Sequence, residues 1–169
     1  RINKEYDQLM LDLEAELRST IRYSEDPLKA ALIYARTGNY IDFAALPEVS
    51  KETALSLIKS ENKDDLDEQE YRQFCQDMKK AENVVYITDN CGEIVLDKIA
   101  IQILKKIFPN IRITALVRGL PAENDATMED AEFCGLTDVV PVLGNGNDVA
   151  VPGFTGSVPT PENFYIMLT

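Results

Sequence analysis

The sequence predicts an α/β protein: a parallel, Rossmann-like, three-layer sheet core over residues 82–169, preceded by an all-helical domain over residues 1–81. Three observations predict it. Apolar residues recur at three- and four-residue steps through the first half, the mark of helices with one buried face. After residue 82 the period changes to short, continuous β-branched runs separated by helical stretches. The order strand, helix, strand, helix, strand implies parallel pairing with right-handed crossovers.

In the first half, Ile2, Tyr6, Leu9, Leu13, Leu17 and Ile21 fall on one helical face. Asp26-Pro27 starts a second helix, with Asp as cap and Pro in the first turn, and Gly38 is its expected stop. Ser50 opens a shorter helix through Leu55, Leu57 and Ile58, and Leu66, Tyr71, Phe74 and Met78 mark another between Asp65 and Ala81. The acidic stretch Glu61–Glu70 reads as a solvated loop and helix start. In the second half, Val84–Thr88 is a strand, Ile94–Phe108 a helix, Ile111–Val117 a strand, Thr127–Cys134 a short helix closed by Gly135, and Val139–Leu143 a third strand. Residues 145–161 read as loop, and Asn163–Thr169 as a further strand.

Composition narrows the chemistry. The 169 residues include 17 Lys+Arg, 29 Asp+Glu, 3 Cys and no His, for a formal charge of −12. Without His there is no Ser-His-Asp triad and no imidazole base. Three scattered cysteines supply neither a four-thiolate zinc site nor a paired disulfide framework. The acidic balance argues against a nucleic-acid partner, since phosphate contacts need clustered Lys and Arg. No apolar run nears the roughly 18 residues of a membrane span, and the charged start does not read as a signal peptide. The expectation is a cytoplasmic protein with reduced thiols and no membrane partner. The first residue is Arg, and the chain stops directly after an apolar run, so residues are expected to be missing at or before that end.

In open parallel sheets, ligands bind beyond the carboxyl ends of the strands. All three expected strand exits are rich in Asp, Asn and Gly: Asp89-Asn90-Cys91-Gly92-Glu93 after the first, Arg118-Gly119-Leu120-Pro121 with Glu123-Asn124-Asp125 after the second, and Gly144-Asn145-Gly146-Asn147-Asp148 after the third. Asp89, Asn90 and Asp125 can offer two carboxylates and an amide oxygen to one hard cation such as Mg²⁺ or Mn²⁺. Equally, Asp89 and Asp125 can be helix caps and Asn90 a turn residue. Gly92 permits close backbone approach at a helix start, where free N–H groups suit a phosphate, or is an ordinary tight turn. Arg118, one of five basic residues after residue 80, can hold a phosphate or pair with a carboxylate. Cys91 has no base to activate it and reads as a small buried residue. Cys75 and Cys134 read as helix-face core.

In this order and spacing, Asp89-Asn90-Cys91-Gly92-Glu93-Ile94-Val95-Leu96-Asp97-Lys98, Val117-Arg118-Gly119-Leu120-Pro121, Asn124-Asp125-Ala126-Thr127 with Glu129-Asp130-Ala131, and Gly144–Asp148 resemble the damage-control phosphatase family. This family is also called domain of unknown function 89, and one of its branches carries a disputed carboxyl-methyltransferase name. Ala35–Phe43 is similar to a segment of that family's helical domain.

The resemblance implies a helical domain on an α/β core and one divalent metal (Mn, Mg, Co or Ni) held by Asp89, Asn90 and Asp125. It implies metal-dependent hydrolysis of small phosphometabolites, such as sugar phosphates or cofactor-related phosphates. Asp125 and Asp89 are the catalytic candidates. Gly92, Glu93, Arg118, Asn124, Asn39 and Asp42 are the candidates for holding substrate or phosphate. The family also carries an amino-terminal Cys pair, which is not found here, and a Lys-Gly-x-x-Asn motif whose Lys meets the phosphate. No Lys or Arg follows Arg118, so that motif either lies in residues outside this sequence or has been lost. Its loss would leave a non-catalytic metal-binding module. A carboxyl methyltransferase would need a glycine-rich adenosylmethionine loop after the first strand, and Asp89–Glu93 does not provide one.

Overall fold

The structure is a computed structural model describing residues 2–40, 50–60, 66–119, 125–144 and 164–168. It is mixed α/β, with a small parallel sheet and a majority of helix. Four helices come first: α1 (Ile2–Arg22), α2 (Pro27–Tyr40), α3 (Lys51–Ser60) and α4 (Glu68–Lys80). Then follow β1 (Asn83–Ile87), α5 (Glu93–Ile107), β2 (Arg112–Val117), α6 (Met128–Phe133), β3 (Val142–Gly144) and β4 (Phe164–Leu168).

Local chemistry sets the helix starts. The Asp26 carboxylate accepts the Lys29 N–H at 3.1 Å, the Ser50 hydroxyl accepts Thr53 N–H at 3.2 Å, and Asp67 accepts Glu70 N–H at 2.9 Å. Each satisfies a donor that the first helical turn leaves without a partner.

The sheet order is β3-β2-β1-β4, and every pairing is parallel. The terminal strand expected from Asn163–Thr169 is present and pairs with β1, Val84 opposite Tyr165. The third strand differs from the expected Val139–Leu143. Leu136–Asp138 instead forms a 3-10 turn that carries the chain through Val140, and pairing starts at Val142 opposite Ala115. Val140 is buried in the core, not paired in the sheet.

α5 is the central helix. From Glu93 to Ile101 every residue is buried, as in a helix covered on all sides. α1 and α2 pack against it, and one apolar cluster runs from Met10 through Leu17, Ile21, Ala35, Leu96 and Ile101 to Val140. The Tyr86 hydroxyl of β1 donates to Asp97 of α5 at 2.6 Å, inside that core.

Gly38 does not end α2; the helix continues to Tyr40. Glycine is needed there for another reason. A Cβ at position 38 would come to 2.8 Å from Leu96 Cδ1 and 3.1 Å from Glu93 Cγ, so the small residue is what lets α2 lie close on α5. Among the described residues, no helix is long and apolar enough to cross a membrane.

Gly38→Val should therefore destabilise the protein by about 2–3 kcal/mol through overpacking against Leu96, read as a lower urea midpoint at unchanged m-value.

Candidate functional site

The site forms where β1 and β2 run out. After Ile87 the chain turns through Asp89, Asn90 and Cys91 to Gly92, which begins α5 with φ +76°. The segment returning from β2 lies across this turn. Asp89 C=O accepts the Ala126 N–H at 2.8 Å, and Asn90 and Asp125 form a bridge. Ala126 C=O in turn accepts the Arg118 N–H at 2.9 Å. Asp89, Asn90, Arg118 and Asp125 are thereby brought together by backbone bonds alone.

Neither acid is a helix cap. α5 is capped by Gly92 without a side-chain bond, and α6 by Thr127, whose side chain accepts from Asp130 while Asp130 accepts the Thr127 N–H. The capping role open to Asp89 and Asp125 in the sequence is thus taken by others.

Arg118 Nε donates to Asp125 Oδ2 at 2.6 Å, and both side chains are largely buried. Among the described residues, Arg118 Nη1 is buried with no hydrogen-bond partner. Burial raises the Asp89 carboxyl above the usual range, the Asp125 charge raises it further, and Arg118 pulls it back. Asp89 and Asp125 thus lie close together, with the Arg118 guanidinium acting on both.

The donor set suits a hard cation: two carboxylates close enough to repel, with the Asn90 amide beside them. Among the described residues no group of three or more His, Cys, Asp or Glu is placed to hold a metal. The set expected from the sequence, Asp89, Asn90 and Asp125, contains two acids and an amide.

Other expected residues take different places. Glu93 is fully buried, not facing an open cleft, and Oε2 accepts from Asn90 Nδ2 at 3.3 Å. Burial and the Asp97 and Asp89 charges push its carboxyl far up. Gly92 gives its own N–H to Asp7 at 2.6 Å. Asn39 lies in the last turn of α2, while Asn124, Asp42 and residues 145–148 of the third exit lie outside the described residues. Cys91 is buried, and burial pushes its thiol up to about 12, consistent with a packing residue and not a nucleophile.

Asp7 is the residue that sequence reasoning missed. It sits on α1, 85 positions from its partner. In sequence the only signal was an acid among the apolar positions of that helix, flanked by Tyr6 and Met10.

Comparison with known proteins follows this geometry. A family model described as the damage-control phosphatase ARMT1-like domain matches residues 1–168. A damage-control phosphatase of Pyrococcus horikoshii is 33% identical over 121 residues, covering 70% of this chain and 40% of that protein. Another, from Archaeoglobus fulgidus, is 30% identical over 131 residues, covering 76% and 44%. An uncharacterized protein of Methanocaldococcus jannaschii is 31% identical over 130 residues, covering 72% and 40%. The crystal structure of a DUF89 family protein from P. horikoshii superposes with a TM-score of 0.68 at 30% identity, over 85% of this chain and 50% of that one. The chain spans less than half the length of the curated relatives it matches.

Removing Arg118 leaves Asp89 facing Asp125 without the compensating charge. Arg118→Ala should raise the Asp89 carboxyl pKa further and Asp125→Asn should lower it, both read from the Asp89 side-chain carbon in an NMR titration.

Proposed function

This chain belongs to the damage-control phosphatase ARMT1-like family, and from that membership we propose that it serves a metal-dependent phosphatase acting on small phosphometabolites in the cytoplasm. Sugar phosphates and cofactor-related phosphates are the substrate classes we assign. In this reading the sheet is a Rossmann-like core with the preceding helices as its covering domain, and the cleft at the β1 and β2 exits is the active site.

The observation that carries the reading is the constellation Asp89, Asn90, Asp125 and Arg118 at two adjacent strand exits, held by the Asp89–Ala126 and Ala126–Arg118 backbone bonds. A divalent cation held by Asp89, Asn90 and Asp125 would neutralise phosphoryl oxygens and lower the pKa of water. The reaction breaks the bond between phosphorus and the ester oxygen, adds water oxygen to phosphorus, and returns a proton to the leaving alcohol.

The chain's own groups divide the remaining work. Arg118 has one edge on Asp125 and offers Nη1 to a phosphoryl oxygen, stabilising charge that grows during transfer. Asp125, which accepts from that same Arg118, orients the attacking water and takes its proton. The amide of Asn90 is held by buried Glu93, which fixes which way it faces. No side-chain nucleophile is needed, which agrees with the absence of His and the inert Cys91.

The test is phosphate release from a panel of sugar and cofactor phosphates, using the intact protein with Mg²⁺, Mn²⁺, Co²⁺ or Ni²⁺ and with a chelator. Metal-dependent release is expected, with Asp89→Ala losing it by about 10³-fold at an unchanged unfolding midpoint, and Arg118→Ala raising KM. Full turnover in chelator, or in Asp89→Ala, would overturn the assignment. Absence of turnover with every metal, alongside retained metal binding, would favour the non-catalytic module.

A further inference from the structure

We propose that Asp7 is a positioning residue of this site: by gripping the Gly92 turn it holds Asp89 and Asn90 in place against Asp125, which makes the first helix part of the site's framework. The inference rests on the reading above for its activity and Mn²⁺-binding measurements, and not for its amide measurements.

Asp7 is fully buried, and its Oδ1 accepts the Gly92 N–H at 2.6 Å. That N–H precedes the first turn of α5 and lies two residues after Asn90. Gly92 is at φ +76°, a conformation in which any other residue is strained. A Cβ there would also meet Tyr6 Cβ and Met10 Cγ of α1, each at 3.5 Å. Asp7 and its neighbours on α1 therefore seat the turn directly.

The same stretch of α1 reaches the other half of the site. Asp7 faces Asp130, the acid of the Thr127 capping box, and Cys134. Lys4 pairs with Glu129 at 2.5 Å. Thr127 is itself bridged to Arg118. One face of α1 thus touches both chain segments that carry the candidate ligands.

For packing alone a carboxyl is a poor choice here. It is desolvated and sits beside Asp130, and burial pushes its carboxyl up to about 7. What it supplies is a strong acceptor aimed at one amide.

The test uses the intact protein with Asp7→Asn, which keeps an acceptor of the same reach, and Asp7→Ala, which removes it. Asp7→Ala should speed Gly92 amide exchange about 10–100-fold and shift the Asp89, Asn90 and Ala126 amide resonances while those of α3 and α4 stay put. It should also weaken Mn²⁺ binding, read by titration without substrate, by about 10-fold, and lower kcat more than it changes KM. Asp7→Asn should restore all of these to near wild type. Should Asp7→Ala not fold, Asp7→Ser, whose side chain falls short of Gly92, carries the same comparison. Unshifted Asp89, Asn90 and Ala126 amides in the variant lacking the acceptor, or shifts spread evenly over the whole molecule, would overturn the proposal. A wild-type protein that binds no Mn²⁺ and releases no phosphate would sink the phosphatase reading, while the amide measurements would still decide the role of Asp7.

Discussion

The turn at Gly92 is the constraint on which the rest of the structure depends. It reverses the chain from β1 into α5 with a left-handed residue, and α1 is packed directly against it. That contact fixes three things at once. It sets where α5 begins, and α5 is the helix around which α1 and α2 assemble. It places Asp89 and Asn90 at the mouth of the sheet. It also seats the Gly92 backbone against Tyr6 and Met10, each 3.5 Å from where a Cβ would stand. A single glycine thus joins the core's geometry to the site's geometry.

Around this turn the molecule concentrates buried acids. Asp7, Glu93, Asp97 and Asp130 are all buried, and Asp89 and Asp125 lie at the adjoining exits. Carboxylates out of water are costly, and the upward shifts of Asp7, Asp89 and Glu93 express that cost. Several features offset it. Gly92 N–H, Tyr86 O–H and the Thr127 N–H each donate to one of these acids. Glu93 and Asp130 also stand in the first turns of α5 and α6, where the helix dipoles favour negative charge. Lys98 is engaged elsewhere, by Glu14 and the Cys134 carbonyl, so Arg118 carries the local positive charge on the Asp89–Asp125 side. Such an arrangement stabilises the fold less than an apolar one would.

Much of this was legible in the sequence because it is local. Helix starts at Asp26, Ser50 and Thr127 follow from capping residues, and β1 and β2 from β-branched runs. The gathering of Asp89, Asn90, Arg118 and Asp125 followed from strand exits in a parallel sheet, together with the family resemblance. What escaped depends on contacts between distant segments. Gly38 reads as a helix stop, yet its reason is Leu96, far along the chain. Val139 and Val140 have the composition of a strand, but the 3-10 turn at Leu136–Asp138 spends them in the core before pairing begins. Glu93 stands at a strand exit in the sequence, and only the fold shows that it is buried and accepts from Asn90. Asp7 sits within an ordinary amphipathic pattern, and nothing local marks it as the partner of Gly92.

These buried acids also explain why Arg118 matters beyond its own bond. With Asp125 bound at Nε and Nη1 left without a partner, its guanidinium is divided between holding a carboxylate and meeting an anion. Neutralising the Asp89–Asp125 pair by another positive charge would lessen the demand on Nε and strengthen what Arg118 can give to a phosphoryl group. Conversely, a phosphate approaching without such a charge would meet two carboxylates with one guanidinium already in use. On the proposed reading, a cation at these acids and an anion at Arg118 would each favour the other's binding. The β1 exit supplies Asp89 and Asn90, the β2 exit Arg118 and Asp125, and the Ala126 backbone bonds to Asp89 and Arg118 tie the two exits together.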